Sequence, residues 1–145
     1  MGSVAAVCTG SGLIARASLL DGHKATTNKA AWGAITPLGP KTYWVGHARY
    51  AHHLALPPHS LCILQLLTRR LKRWVETNGG KIWTSSGVSA GTDCFLAFIE
   101  YVYGKDDHGV SWAYAMEKSM EWTRAKDAND DPWAKEYNVH DVPPE

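Results

Sequence analysis

The sequence has no excess of charge, no long apolar run and too few cysteines for a disulfide framework. Its 15 basic and 14 acidic residues leave a net charge of +1, so its charge favours neither nucleic acid nor a membrane surface as a partner. No apolar stretch approaches the roughly 20 residues that a membrane-spanning helix needs. Three cysteines, an odd number, favour a reducing compartment, and residues 1–7 lack the basic start and apolar run of a signal peptide. These absences predict a cytoplasmic protein.

The chain does contain enough apolar material for one folded domain. It has 145 residues, of which 45% are hydrophobic and 20% are charged, the balance of an ordinary globular domain with a single core. Seven tryptophans are many for this length. Because tryptophan is usually found in cores and interfaces, we interpret them as packing residues.

Strand-like and helix-like segments alternate along the sequence, and small residues mark their junctions. Predicted strands lie at 4–7, 24–27 and 42–45, with a hairpin that joins 74–76 to 81–84 through an Asn-Gly turn. Predicted helices lie at 13–20, at 28–34, between the small-residue stretch 85–91 and Gly104, and at 110–122. This order predicts an α/β fold with a mainly parallel sheet that is short of strands, followed by an extended polar arm at 126–145.

Cys8 stands at the first strand-to-helix junction. The buried strand ends at Val7 and is followed by CTGSG at 8–12, which leads into the first helix. A cysteine between a strand and a helix, followed by small residues, is the layout of a nucleophile elbow, whose tight turn needs glycines and small side chains. Because the positive end of the helix dipole favours negative charge, Cys8 is the candidate nucleophile. The alternative is a small cysteine that is merely buried.

A second junction, 85–91, is also rich in small residues. Ser86, Ser89 and Asp93 suggest a serine hydrolase, but no histidine lies at a convincing place to pair with them. We interpret Ser86 or Ser89 as a helix cap and Asp93 as a charge in the first turn of the helix, facing its dipole. The alternative is that Ser89 lines a ligand-binding cleft.

Two blocks of sequence together resemble a known superfamily. They are VCTGSG at 7–12 with ASLLDGHKATTNK at 17–29, and WTSSGVSAGTD at 83–93; DPWA at 131–134 adds to them. These motifs are similar to those of the DJ-one/PfpI superfamily, which has the class I glutamine amidotransferase-like fold, and to its fungal, isonitrile-hydratase-like branch. The resemblance covers roughly residues 4–49 and 73–142.

The resemblance implies part of a flavodoxin-like three-layer sandwich, and it implies a reaction. Cys8 would be the elbow nucleophile, and Thr9 and Gly10 would offer a hydroxyl or backbone N–H to the developing anion. In isonitrile hydratases the thiolate attacks the isocyanide carbon, and water then releases an N-substituted formamide. Proteolytic and glyoxalase-like relatives carry histidine where this chain has Thr9, which counts against a Cys–His mechanism. The resemblance implies a small-molecule ligand without a metal or organic cofactor, and relatives commonly form homodimers.

The sequence departs from the family pattern in two places. The family domain begins well before its elbow, so this chain would lack neighbours of the elbow strand and the acidic residue that contacts the cysteine in relatives. We therefore expect a fragment of the family domain with impaired catalysis. Residues 50–72 also match nothing in the family pattern. The codons that can encode residues 50–72 and their flanks are able to spell splice donor, branch and acceptor sequences. We therefore interpret this insert as a translated intron.

The insert admits two other interpretations. His52, His53, His59 and Cys62 are ligand types that suit zinc, but their spacing is irregular and two prolines intervene, so we expect no metal site. The apolar stretch 63–71, with basic residues at its end, is also compatible with an amphipathic helix that binds a partner. The alternative for this stretch is an exposed apolar segment that is prone to aggregation.

Two functions are compatible with the whole sequence. The first is a cysteine-dependent hydratase or hydrolase that acts on a small molecule, with isocyanide hydration as its leading reaction. The second is a non-catalytic ligand-binding or redox-sensing domain in which Cys8 is an oxidisable thiolate. Turnover of an isocyanide, compared with oxidation of Cys8 by peroxide, distinguishes the two functions.

Overall fold

A computed structural model describes residues 3–49, 74–77, 81–125 and 131–145. Its strands are β1 (Val4–Val7), β2 (Lys24–Ala25), β3 (Tyr43–Trp44), β4 (Trp74–Thr77) and β5 (Ile82–Ser85). Its helices are α1 (Gly10–Arg16), α2 (Trp32–Ile35), α3 (Val88–Tyr103), α4 (Trp112–Ser119) and α5 (Pro132–Glu136), with a 3-10 turn at Thr36–Leu38. This order makes the chain mixed α/β, which confirms the fold class at that level.

β5 is the central strand of a three-stranded sheet. It pairs in parallel with β1 and antiparallel with β4. The parallel register places Val7 beside Ser85, so both strands end at the same edge of the sheet and both lead into helices. A second, two-stranded parallel sheet joins β2 to β3. The predicted hairpin is therefore confirmed, although its turn at 78–80 lies outside the described residues.

Both faces of β5 are covered. All four of its residues are buried, and because side chains alternate along a strand, Ile82 and Trp83 point into different cores. The larger core contains Ala15, Leu20, Ala25, Trp32, Trp44, Ile82, Ala134 and Val139. The smaller core contains Trp83, Cys94 and Ala97, with Phe98 packed against it. A strand buried on both faces is typical of layered α/β proteins.

Trp44 joins the larger core to the C-terminal segment. Its side chain is fully buried, its Nε1 donates to the Gly39 carbonyl at 3.0 Å, and its ring meets that of Trp32 edge to face. Its backbone pairs with Val142 in both directions at 2.9 Å. The interpretation of the tryptophans as packing residues is confirmed for these two and for Trp83, whereas Trp112 and Trp133 are about half exposed.

The helices differ from their predicted bounds where local capping overrides periodicity. α1 begins at Gly10 and ends at Arg16, because Ser18 adopts a positive φ of +57° and turns the chain away. α4 begins after Ser111, whose hydroxyl accepts from the Tyr114 N–H. Gly104 ends α3, as predicted, with a φ of +61°. Within the described ranges, no helix has both the length and the apolar character needed to cross a bilayer.

The C-terminal segment is folded where the sequence predicts an extended arm. Residues 126–130 lie outside the description, but α5 follows them, and Ala134 and Val139 belong to the larger core. Asp131, which is buried, caps this helix by accepting from the Trp133 N–H at 3.1 Å. The expectation fails because the segment's few apolar residues are spaced to enter the core beside Trp44. The insert 50–72 lies outside the described residues.

Gly91→Ala is expected to destabilise the protein, because α3 packs closely on β1. A Cβ at position 91 would lie 2.5 Å from Cγ1 and 3.1 Å from Cγ2 of Val7. We expect the free energy of unfolding, measured by urea denaturation, to fall by about 1–3 kcal/mol. Gly33 in α2 is the matched control, since nothing lies within 4 Å of a Cβ there. Gly33→Ala should stabilise by up to about 1 kcal/mol; equal effects of the two changes would contradict the packing.

Candidate functional site

Cys8 lies in the turn between β1 and α1 with its backbone in the left-handed region. Its φ is +58°, a conformation that is uncommon for residues other than glycine and that persists only where neighbours impose it. Ser11 Oγ and Thr27 Oγ1 each donate to the Cys8 carbonyl oxygen at 3.1 Å. These two hydrogen bonds fix the orientation of the turn. A left-handed residue between a strand and a helix is a feature that this turn shares with the strained turns of nucleophile elbows.

The Cys8 sulphur has a polar neighbour that the sequence analysis missed. The Asn28 side-chain amide donates from Nδ2 to Sγ at 3.2 Å, and the thiol is half-buried. Asn28 is itself oriented, because its Oδ1 accepts from the Ala31 N–H at 3.2 Å. The only signal in the sequence was an asparagine at a capping position after β2. Nothing local shows that β2 lies near the elbow.

Thr9 and Gly10 lie beside Cys8 through chain connectivity. Gly10 begins α1, whose first N–H groups have no acceptor within the helix. Thr9 occupies the N-cap position, but its side chain makes no cap hydrogen bond; its carbonyl accepts from the Gly12 N–H at 3.0 Å. The helix start therefore supplies backbone donors next to the sulphur.

The second junction differs from its predicted capping. Gly87 is the N-cap of α3 and no side chain caps this helix, so the interpretation of Ser86 or Ser89 as the cap is wrong. Asp93 lies beyond the first turn and is fully buried, where its Oδ1 accepts from Trp122 Nε1 at 2.7 Å. The interpretation of Asp93 as a first-turn charge is also wrong, because its carboxylate is buried and hydrogen-bonded to Trp122, which is distant in sequence.

Ser89 lies on the wall of a cleft with a volume of about 360 Å³. The cleft is bounded by the segment after β2, the start of α3 and helix α5. Its polar and aromatic lining consists of Asn28, Lys29, Ser86, Ser89, Trp133 and Tyr137. Asn28 lines the cleft and also contacts Cys8 Sγ. The structure therefore connects Cys8 to the neighbourhood of Ser89 through Asn28.

Lys29 is buried at the inner side of this cleft. Its Nζ donates to the Thr26 hydroxyl and the Ala48 carbonyl at 2.7 Å each, and to the Thr27 carbonyl at 3.4 Å. It also lies 4.8 Å from the centre of the Trp32 ring. All three of its protons therefore have acceptors. These hydrogen bonds link the segment after β2 to the segment after β3.

Burial changes the acidity of this lysine. Loss of hydration lowers the pKa of Lys29 from 10.5 to about 8, and the negative charges of Asp131 and Asp141 partly oppose that shift. Asp131 also lies 3.8 Å from Arg49, measured from Oδ1 to Nε. The segments around the cleft are thus held together by buried charges of both signs.

The other thiol of the described chain and the candidate metal ligands lie apart from this site. Cys94 is in the smaller core, where burial and the charge of Asp93 raise its thiol pKa well above the usual range. In the part of the chain that the structure describes, no three His, Cys, Asp or Glu side chains cluster closely enough to hold a metal ion. The four candidate zinc ligands of the insert lie outside the described residues.

No model of a known protein family matches this sequence, and no curated protein matches it. The family assignment therefore remains a hypothesis that depends on the motifs at 7–29 and 83–93. The geometry around Cys8 and the composition of the cleft are the observations from which a function is inferred.

Lys29→Met should remove a pH dependence from the stability of the fold. Lys29 has a pKa of about 8 in the folded protein and an ordinary value of 10.5. Between pH 8 and pH 10.5 it therefore binds more protons in the unfolded chain than in the folded chain. The free energy of unfolding should therefore rise with pH across that window. Relative to the variant, we expect the wild type to gain about 2–3 kcal/mol between pH 8 and pH 10.5.

Urea unfolding at several pH values measures this difference, and Lys41→Met is the matched control. The Lys41 side chain is 73% exposed, so this variant removes a lysine from the surface where Lys29→Met removes one from a buried position. Parallel curves for the wild type and the Lys29 variant would show that the Lys29 ammonium is not desolvated.

Proposed function

We propose that the chain is a cysteine-dependent hydratase or hydrolase of the DJ-one/PfpI type that acts on a small molecule, with isocyanide hydration as its leading reaction. The observation that carries this proposal is the turn at Cys8. The residue adopts a left-handed backbone between a strand and a helix, and an amide N–H is donated to its sulphur. A cysteine with only a packing role needs neither feature.

The proposal extends to the fold, which we take to be part of a flavodoxin-like three-layer sandwich. It is supported by the parallel pair β1–β5, in which each strand leads into a helix, and by the burial of β5 on both faces. In α/β sheets, ligands bind beyond the carboxyl ends of the strands. Cys8 and Ser86 occupy those positions.

The reaction has two steps that balance without an oxidant or a reductant. The Cys8 sulphur first forms a bond to the terminal isocyanide carbon, and the thiol proton ends on that carbon, which gives a thioimidate. Water then adds to the same carbon, and one of its protons passes to the nitrogen. The carbon–sulphur bond breaks, the second proton of the water returns to the sulphur, and an N-substituted formamide leaves.

Asn28 is the residue that would hold the sulphur during both steps. Its N–H stabilises negative charge on the sulphur, as the sulphur attacks and again as it leaves. Because an amide carries no proton that it can give up, the thiol proton must move to the substrate or to water. The backbone N–H groups of Thr9 and Gly10 would bind the anionic atom that develops beside Cys8.

Cys8→Ala should reduce isocyanide turnover to the uncatalysed rate. Formation of N-benzylformamide from benzyl isocyanide, followed by NMR, is the measurement. Cys94→Ala is the matched control, because that thiol is buried in the smaller core. It should keep its turnover while losing some stability. Turnover that persists in the Cys8 variant would overturn the proposal, and oxidation of Cys8 by peroxide in a protein without turnover would favour a redox-sensing domain.

Asn28→Ser separates the two hydrogen bonds of the asparagine. Serine is also a good capping residue and can accept from the Ala31 N–H, but its hydroxyl is too short to reach the sulphur. A hydrogen bond to a charged group is worth about 1.5–3 kcal/mol, so kcat/KM should fall about 10- to 100-fold while stability changes little. An unchanged kcat/KM would remove Asn28 from the mechanism.

A further inference from the structure

The cleft beside Asn28 has a composition that selects among small molecules. We propose that it binds the organic substituent of an uncharged aromatic compound, with Trp133 and Tyr137 as its aromatic wall. This inference depends on the proposed function, since it names the substrate class of the same site. The juxtaposition that carries it is an aromatic pair, one residue in α5 and one just after its end, that lines the same cleft as the asparagine in contact with Cys8.

Trp133 and Tyr137 both line the cleft, and both are exposed. They are four residues apart, so they lie on one side of the last helix and the turn after it. Their exposed fractions are 52% and 50%. A ligand ring placed against them would remove apolar surface from water and could stack on them, which is the main source of affinity in aromatic small-molecule sites.

The aromatic wall is carried by an anchored element. The buried Asp131 caps α5 through the Trp133 N–H and lies 3.8 Å from Arg49. Ala134 and Val139 enter the larger core. The helix is therefore held at its start, in its middle and just after its end, so little ordering is required when a ligand binds.

The charge of the lining favours a neutral ligand. Of the lining residues that the structure describes, only Lys29 belongs to the charged residue types. Lys29 is 3% exposed, and its Nζ already donates to three acceptors. The ammonium is thus not available to an anion, and no carboxylate among these residues compensates a cation. Asn28, Ser86 and Ser89 offer neutral hydrogen-bonding groups.

The cleft has room for a ligand of one ring. Its volume of about 360 Å³ lies near the lower end of the range of small-molecule sites, about 300–1,000 Å³. Asn28 lines this space and also donates to the Cys8 sulphur. A ring against Trp133 and Tyr137 would therefore share the cleft with Asn28, whose amide contacts Cys8 Sγ.

Equilibrium binding of N-benzylformamide tests the inference without requiring turnover. This neutral one-ring compound should bind the wild type, and isothermal titration calorimetry measures the affinity. Trp133→Ala and Tyr137→Ala should each raise Kd at least about tenfold, since each removes one wall of an apolar contact. N-methylformamide, which lacks the ring, and the charged compounds phenylacetate and benzylammonium should bind at least about tenfold more weakly than N-benzylformamide.

Trp112→Ala and Tyr114→Ala are the matched controls. These residues are 51% and 52% exposed on α4, outside the cleft, and their removal should leave Kd unchanged. Trp133→Phe keeps a ring and guards against a folding defect: it should retain most of the affinity that the alanine variant loses. Equal Kd values in all variants, or tighter binding of a charged compound, would overturn the inference.

Failure of this inference is distinguishable from failure of the proposed function. Cys8→Ala removes the nucleophile but leaves the aromatic wall, so it should bind N-benzylformamide like the wild type. If the wild type binds N-benzylformamide through its ring but hydrates no isocyanide, the proposed function is wrong and the inference about the cleft is supported. If the wild type instead hydrates benzyl and methyl isocyanide with the same kcat/KM, and Trp133→Ala does not change it, the proposed function is supported and the inference about the cleft is wrong.

Discussion

The parallel pairing of β1 with β5 is the constraint on which the rest of the site depends. It joins segments nearly eighty residues apart in the sequence and sets Val7 opposite Ser85. Because both strands run in the same direction, the residues that follow them meet at one edge of the sheet. Cys8 and the start of α3 are neighbours for this reason. A shift of one residue in the register would turn the side chains of β5 to the opposite faces and disrupt both cores.

The segment after β2 completes the site through polar contacts. The Thr26 N–H donates to Thr84 Oγ1 at 3.1 Å, which ties this segment to β5. Thr27 then reaches the Cys8 carbonyl and Asn28 reaches its sulphur. Burying the Lys29 ammonium beside them is unfavourable, as the lowered pKa shows, and three acceptors offset that cost. These contacts together hold the turn at Cys8 in a backbone conformation that it would not keep alone.

Features with a short-range cause were predictable. The Asn-Gly signal predicted the β4–β5 hairpin, and Gly104 ends α3 because a positive φ suits a glycine there. The elbow position of Cys8 follows from an apolar strand followed by small residues. Features that depend on distant partners were missed: Asp93 looked like a dipole charge but is buried against Trp122. The C-terminal residues looked like an arm because their few apolar side chains show no period of their own.

The sequence by itself determined the alternation of strands and helices, the turn that carries Cys8 and the near-zero net charge, because each depends on residues within one turn or on composition alone. The tertiary structure alone decided that Asn28 contacts the sulphur, that Ser89 lies in a cleft rather than capping a helix, and that Trp133 and Tyr137 form a wall of that cleft. The physical reason is that these contacts join segments between which no local pattern exists. Strand register and the packing of α5 on the larger core bring them together.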